Sequence, residues 1–108
     1  MHGDAKNSAG WPRVDMFVSA TGDYIIELEL SGLRSEWLEI TVQGQRLAVK
    51  GERPDPNTPI CKESVAKEIP RGTFRRVMDL PPEFDLTEAK AAYLNGFLRI
   101  TVPSVNNR

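Results

Sequence analysis

Histidine and cysteine each occur once in this chain, as His2 and Cys61. A lone cysteine closes no intrachain disulfide, which excludes a stapled secreted scaffold and favours a reducing compartment, the cytoplasm. The pair also falls short of a zinc set or a Cys–His nucleophile couple, and His2 sits beside the N-terminus in a stretch with no core pattern. No sign of charge is in excess: 14 basic against 15 acidic residues leave a net charge of −1, so no strong field calls for nucleic acid. Apolar runs are only a few residues long, so nothing spans a membrane. Residues 1–11 are polar and small and lack the apolar stretch of a signal peptide. No Gly-x-x-x-x-Gly-Lys-Ser/Thr loop is present for nucleotide hydrolysis. Carboxylates are plentiful, but Glu27, Glu29 and Glu39 fall at outward strand positions, which reads as a solvated sheet face and not as an acid–base pair. The expectation is a protein that is not an enzyme and holds no cofactor or metal.

What the chain does contain is alternation. In Tyr24-Ile25-Ile26-Glu27-Leu28-Glu29-Leu30, Tyr24, Ile26, Leu28 and Leu30 share one face, and Ile25, Glu27 and Glu29 the other. Residues 37–42 repeat the pattern with Leu38, Ile40 and Val42 as the inward set. Residues 47–50, 74–80 and 97–102 follow, and 14–18 is a weaker candidate. A period of two means strands buried on one face and wet on the other. Turn signals separate them at Thr21-Gly22-Asp23, at Gln43-Gly44-Gln45 and, most sharply, at Asn95-Gly96, where both residues tolerate positive φ. Short strands at this spacing predict an antiparallel sandwich or barrel. Residues 85–94 read locally as helix, but the Asn95-Gly96 hairpin needs a strand before it. The reading is one helical turn at 86–88 followed by a short strand at 89–94. At 108 residues there is room for one domain with one modest core.

The long connection, residues 54–72, breaks the pattern. Pro54, Pro56 and Pro59 keep its first half out of any central strand, while 60–69 alternates loosely. Loops of this length in a compact domain are commonly functional or mobile. Cys61 lies within it and reads as an incidental small residue rather than a redox handle. From Lys62 to Arg76 the chain carries Lys62, Lys67, Arg71, Arg75 and Arg76 against Glu63 and Glu68. This run reads either as an anion site or as a charged strand and loop surface that limits edge pairing; with only Phe74 interleaved, nucleic-acid binding is not expected.

Five blocks in order then resemble the α-crystallin domain of small heat-shock proteins, over residues 11–103. They are Pro12-Arg13-Val14-Asp15; residues 23–33, ending Leu30-Ser31-Gly32-Leu33; residues 40–53, ending Gly51-Glu52-Arg53; Gly72-Thr73-Phe74-Arg75-Arg76 with Leu80-Pro81; and Ala91-Ala92-Tyr93-Leu94-Asn95-Gly96-Phe97-Leu98. Gly72, Phe74, Arg76, Asn95, Gly96 and Leu98 carry the family signature. Ser31 replaces a usual proline, and Ile69 an arginine that often joins dimer contacts.

The resemblance implies an all-β, immunoglobulin-like antiparallel sandwich over 12–103, after a short flexible segment (1–11) and before a short tail (104–108) without an Ile-x-Ile motif. It implies an ATP-independent holdase that binds exposed apolar segments of unfolding clients through a groove and sheet edge. The groove would be lined by Ile40, Val42, Ala91 and Tyr93. It implies a homodimer formed by exchange of a strand from the 54–72 loop: Ile60, Cys61, Lys62, Glu63, Ser64 and Val65 would cross to the other subunit. The alternative is an assembly or adaptor module, or a CS-type co-chaperone domain, that binds Ile-x-Ile tails of related subunits without strong holdase activity. No nucleic-acid or membrane partner is expected.

Overall fold

The computed structural model describes residues 10–107; residues 1–9, with His2 and most of the expected N-terminal segment, and Arg108 lie outside the described residues. Strands β1 (Val14–Val18), β2 (Tyr24–Glu29), β3 (Glu39–Gln43), β4 (Arg46–Arg53), β5 (Gly72–Asp79), β6 (Lys90–Leu94) and β7 (Phe97–Val102) form two antiparallel sheets. One has the order β1-β2-β7-β6 and the other β3-β4-β5. Residues paired across strands share a face. Ile26 therefore lies in a row with Met16 and Ile100, and Leu28 with Val14 and Leu98. In the facing sheet, Leu47 pairs with Met78 and Gly51 with Phe74. Of these inner rows, Val14 packs against the core partly buried, and Met16, on the edge strand, stays exposed. Ile26, Leu28, Leu47, Phe74, Met78, Leu98 and Ile100, with Leu30, Val49, Leu80, Leu86 and Val102, make one buried core. Each large apolar side chain so buried stabilises the fold by about 1.5–3 kcal/mol. The structure is an all-β sandwich, the one of the two architectures left open by the alternation that the family resemblance implies.

Local chemistry sets the corners. Asn95 and Gly96 both take positive φ, at 54° and 85°, as a two-residue I′ turn requires. A Cβ on Gly96 would also stand 3.1 Å from Ser31 Cα, so this glycine is needed for close approach as well. Asp85 accepts a hydrogen bond from the Thr87 amide at 3.0 Å and starts a single 3-10 turn at Leu86–Glu88, whose Leu86 is buried. The helix-prone run thus ends after one turn and continues as β6, because pairing with β7 satisfies its backbone.

One contact fixes how the layers stack. Arg76 on β5 donates from Nη1 to the Pro12 carbonyl at 2.8 Å, just before β1. Trp11 packs edge-on against Phe74, with ring centroids 5.1 Å apart. The β1 edge of the four-stranded sheet therefore overlies β5, and given the strand orders β6 lies on the same flank of the sandwich as β3.

Three expectations change. Ile25, placed on the wet face, is 5% exposed. It pairs with Phe17 on one side and Thr101 on the other, so its neighbours on the outer face cover it in the middle of the sheet. Ile40 and Val42, assigned to the buried inward set, are 36% and 44% exposed. They do face inward, opposite Val49 and Leu47. However, β3 is an edge strand, and its inner side is left uncovered. Finally, Trp37 belongs to a 3-10 turn at Ser35–Trp37, so β3 starts only at Glu39.

Candidate interaction edges

Both sheets end in strands with one open side. On β6, Ala91 pairs with Ile100 and Tyr93 with Leu98, so Ala91 and Tyr93 share the inward face with two buried residues. On β3, Ile40 and Val42 do the same with Val49 and Leu47. The four residues assigned to a groove thus occupy the inward faces of two edge strands on one flank of the sandwich. They differ in freedom. Ala91 is exposed, whereas Tyr93 is half-buried, and its hydroxyl donates to the Leu30 carbonyl and stands 3.3 Å from that of Leu33. Tyr93 is a fixed wall, while Ile40, Val42 and Ala91 present apolar surface to solvent.

The opposite flank ends in β1. Met16, Phe17 and Val18 are 48%, 44% and 56% exposed, on a strand whose second side has no neighbour among the described residues. Glu29 donates its amide to the Arg13 carbonyl at 3.1 Å. In antiparallel ladders such pairs recur at every second residue. Arg13, Asp15 and Phe17 therefore turn their backbone groups toward β2, and Val14, Met16 and Val18 turn theirs outward.

The long connection contains no strand in the single chain. Ile60, Cys61, Lys62, Glu63, Ser64 and Val65 are all exposed, Val65 at 93%. The amides of Ile60 and Cys61 both turn back to the Asn57 carbonyl, at 3.0 and 2.9 Å. The base of the loop is nevertheless well held. Asp55 accepts from the Asn57 amide at 2.9 Å and from Lys67 Nζ at 3.1 Å, with Arg71 at 4.0 Å. The Asn57 amide and then Lys67 hold the Asp55 carboxyl below the usual carboxylate range.

Arg53 closes this neck from the sandwich side. It is 8% exposed and the one buried charged side chain among the described residues. Nε donates to the Pro70 carbonyl at 3.0 Å, Nη2 to the same oxygen, and Nη1 to the Ser31 carbonyl at 3.0 Å. Its guanidinium lies 4.7 Å above the Trp11 ring. Carbonyl dipoles and an aromatic face thus take the place of a carboxylate. Arg53 closes the matched Gly-Glu-Arg block, but sequence reading gave it no role. A terminal strand arginine looks solvent-bound until the fold brings Pro70 and Ser31 to it. Of the signature residues, Gly72 opens β5 with φ of 95°, Phe74 and Leu98 are core, and Arg76 ties the layers together.

Comparison with known proteins places these features in context. The model of the Hsp20/alpha crystallin family matches residues 17–108. The 18 kDa antigen 2 of Mycobacterium avium is 35% identical over 80 residues, covering 74% of this chain and 56% of its own. Small heat shock protein C2 of Rickettsia felis is 29% identical over 92 residues, or 85% of this chain and 59% of its own. The chain therefore spans little more than half the length of these relatives. Among solved structures, a small heat-shock protein from Xylella fastidiosa superposes with a TM-score of 0.77 at 26% identity, over 86% of this chain and 84% of that one. The hspA of Xanthomonas axonopodis gives 0.78 at 26% identity, over 87% and 93%.

Proposed function

This chain belongs to the Hsp20/alpha crystallin family, and from that premise we propose that it is a molecular chaperone, a holdase that captures exposed apolar segments of unfolding proteins without ATP. The observation that supports this is the flank bearing β3 and β6. Ile40, Val42 and Ala91 face the interior side of the sandwich yet remain open to solvent. An extended apolar segment laid there removes surface from water and can also pair with an open strand edge. The working compartment is the cytoplasm.

Suppression of the aggregation of a thermolabile client, measured by light scattering without ATP, is the direct test. The protein should suppress aggregation at equimolar ratio. The Ile40→Lys, Val42→Lys double variant should lose most of this effect with little change in melting temperature, because neither side chain is buried. Absence of suppression by the unaltered protein at molar excess would rule the reading out.

A second reading, an adaptor for the tails of related subunits, is supported by the spacing of Ile40 and Val42. Two residues apart on a strand they stand roughly 7 Å apart, the repeat of an extended Ile-x-Ile segment. Calorimetry with such a peptide tests it, and no detectable heat of binding would reject it. In either reading the protein is a homodimer in which residues 60–65 cross to the partner and pair with the free edge of β1.

A further inference from the structure

We propose that the exchanged segment docks antiparallel on β1 in one register, with Lys62 opposite Asp15 of the partner subunit and Ile60 opposite Phe17 of the partner subunit. The proposal rests on the strand-exchange reading above and specifies its geometry. Because outward-directed backbone groups on β1 belong to Val14, Met16 and Val18, an incoming strand must make its hydrogen-bonded pairs with these three. In the proposed register they face Glu63, Cys61 and Pro59. Cys61 and Glu63 offer both an amide and a carbonyl, and Pro59, which has no N–H, ends the ladder. Crossing exchanges the Cys61 amide's bond to Asn57 for one across the interface.

The side chains favour this register over its neighbours. Lys62–Asp15 and Ile60–Phe17 fall at non-hydrogen-bonded pairs, where side chains approach most closely. One is a pair of opposite charges, and the other joins two exposed apolar residues, 79% and 44% accessible. Glu63 comes beside Val14 on the inner face, the side on which Arg76 reaches Pro12. Slipping by one residue flips every side chain to the other face. One such slip sets Glu63 against Asp15. The other carries Lys62 to the inner face beside Arg76. A parallel arrangement that keeps Lys62 on Asp15 leaves Phe17 against Ser64 and Ile60 against Arg13. Only the proposed register satisfies both outer pairs and keeps the inner charge favourable.

Cys61 provides the test, because the register decides which β1 residue it faces. In the full chain, single cysteines are introduced as Asp15→Cys, Met16→Cys and Phe17→Cys and oxidised, and crosslinked dimers are read on a non-reducing gel. Each is compared with the same variant carrying Cys61→Ser. Met16→Cys should crosslink, since hydrogen-bonded antiparallel pairs stand about 5.5 Å apart at Cα, within disulfide reach. Its neighbours point to the opposite face and should crosslink far less. Independently, Asp15→Lys and Lys62→Asp should each raise the dimer dissociation constant about tenfold, and the double variant should restore it. Preferential crosslinking at position 15 or 17, or no restoration in the double variant, overturns the register. If deletion of residues 59–65 leaves the dimer intact, the exchange reading itself fails and the register with it.

Discussion

Gly51 shows how closely a single position can be constrained. Its φ is unremarkable, but a Cβ there would lie 2.9 Å from Phe74 Cζ, 3.0 Å from the Trp37 carbonyl and 3.1 Å from Leu38 Cδ2. Phe74 is fixed in the core and Trp37 contributes backbone, so neither side yields cheaply. Gly51→Ala should destabilise the fold by about 1–3 kcal/mol in urea unfolding. An unchanged midpoint would show that Phe74 is freer than its burial implies. Arg53 is constrained by chemistry rather than space. Arg53→Met keeps much of the apolar stem but leaves the Pro70 and Ser31 carbonyls without their donors and removes the cation from the Trp11 face. The expected cost is about 2–3 kcal/mol. Trp11 fluorescence should shift with it, since the indole would lose its covering guanidinium.

The loop neck is the element that carries a pH dependence. A carboxyl held below its ordinary range contributes stability that is present above its free value and lost as pH falls through its folded value. Asp55 is such a group, and Asp79 is another through its 2.9 Å contact with Arg46. Ordinary aspartates titrate near 3.9. Protection of residues 54–71 from proteolysis should therefore be constant from pH 8 to 5 and fall only below about pH 4. Weakening between pH 7 and 5 would mean that Asp55 does not hold the neck. The strands themselves were legible from local pattern. The 3-10 turn at Leu86–Glu88 and the strand after it follow from Asp85 and from the Asn95-Gly96 turn, although helix propensity alone pointed elsewhere. The Ser35–Trp37 turn was not legible, because nothing in Ser-Glu-Trp distinguishes a helical turn from the start of a strand.

At the scale of the whole molecule, core and loop are separate. No residue of 54–71 belongs to the buried cluster. Deleting residues 59–65 should therefore leave the circular dichroism spectrum and the melting temperature of a monomeric form nearly unchanged, while sedimentation shows loss of the dimer. A cooperative loss of the sandwich on deletion would show that the loop is a folding element and not an arm. No helix among the described residues is long and apolar enough to cross a membrane.

By itself the sequence determined the alternation, the turns and the family, because each depends on residues near in the chain: period two selects strands, and Asn95-Gly96 selects a tight turn. The grouping of Ile40, Val42, Ala91 and Tyr93 as one groove came from the family resemblance and not from local pattern; the fold sets the four on the inward faces of two edge strands. Only the tertiary structure decided which inward faces are covered. Ile40 and Val42 carry the same pattern as Ile26 and Leu28, yet they stay exposed because β3 ends its sheet and β2 does not. Ile25 alternates like a wet residue and is buried because strands flank it on both sides. Arg53 is buried because the chain returns at Pro70 to supply carbonyls for its charge. Alternation tells which side of a strand is apolar; coverage depends on what the rest of the chain lays against it, and that is a long-range property no local pattern contains.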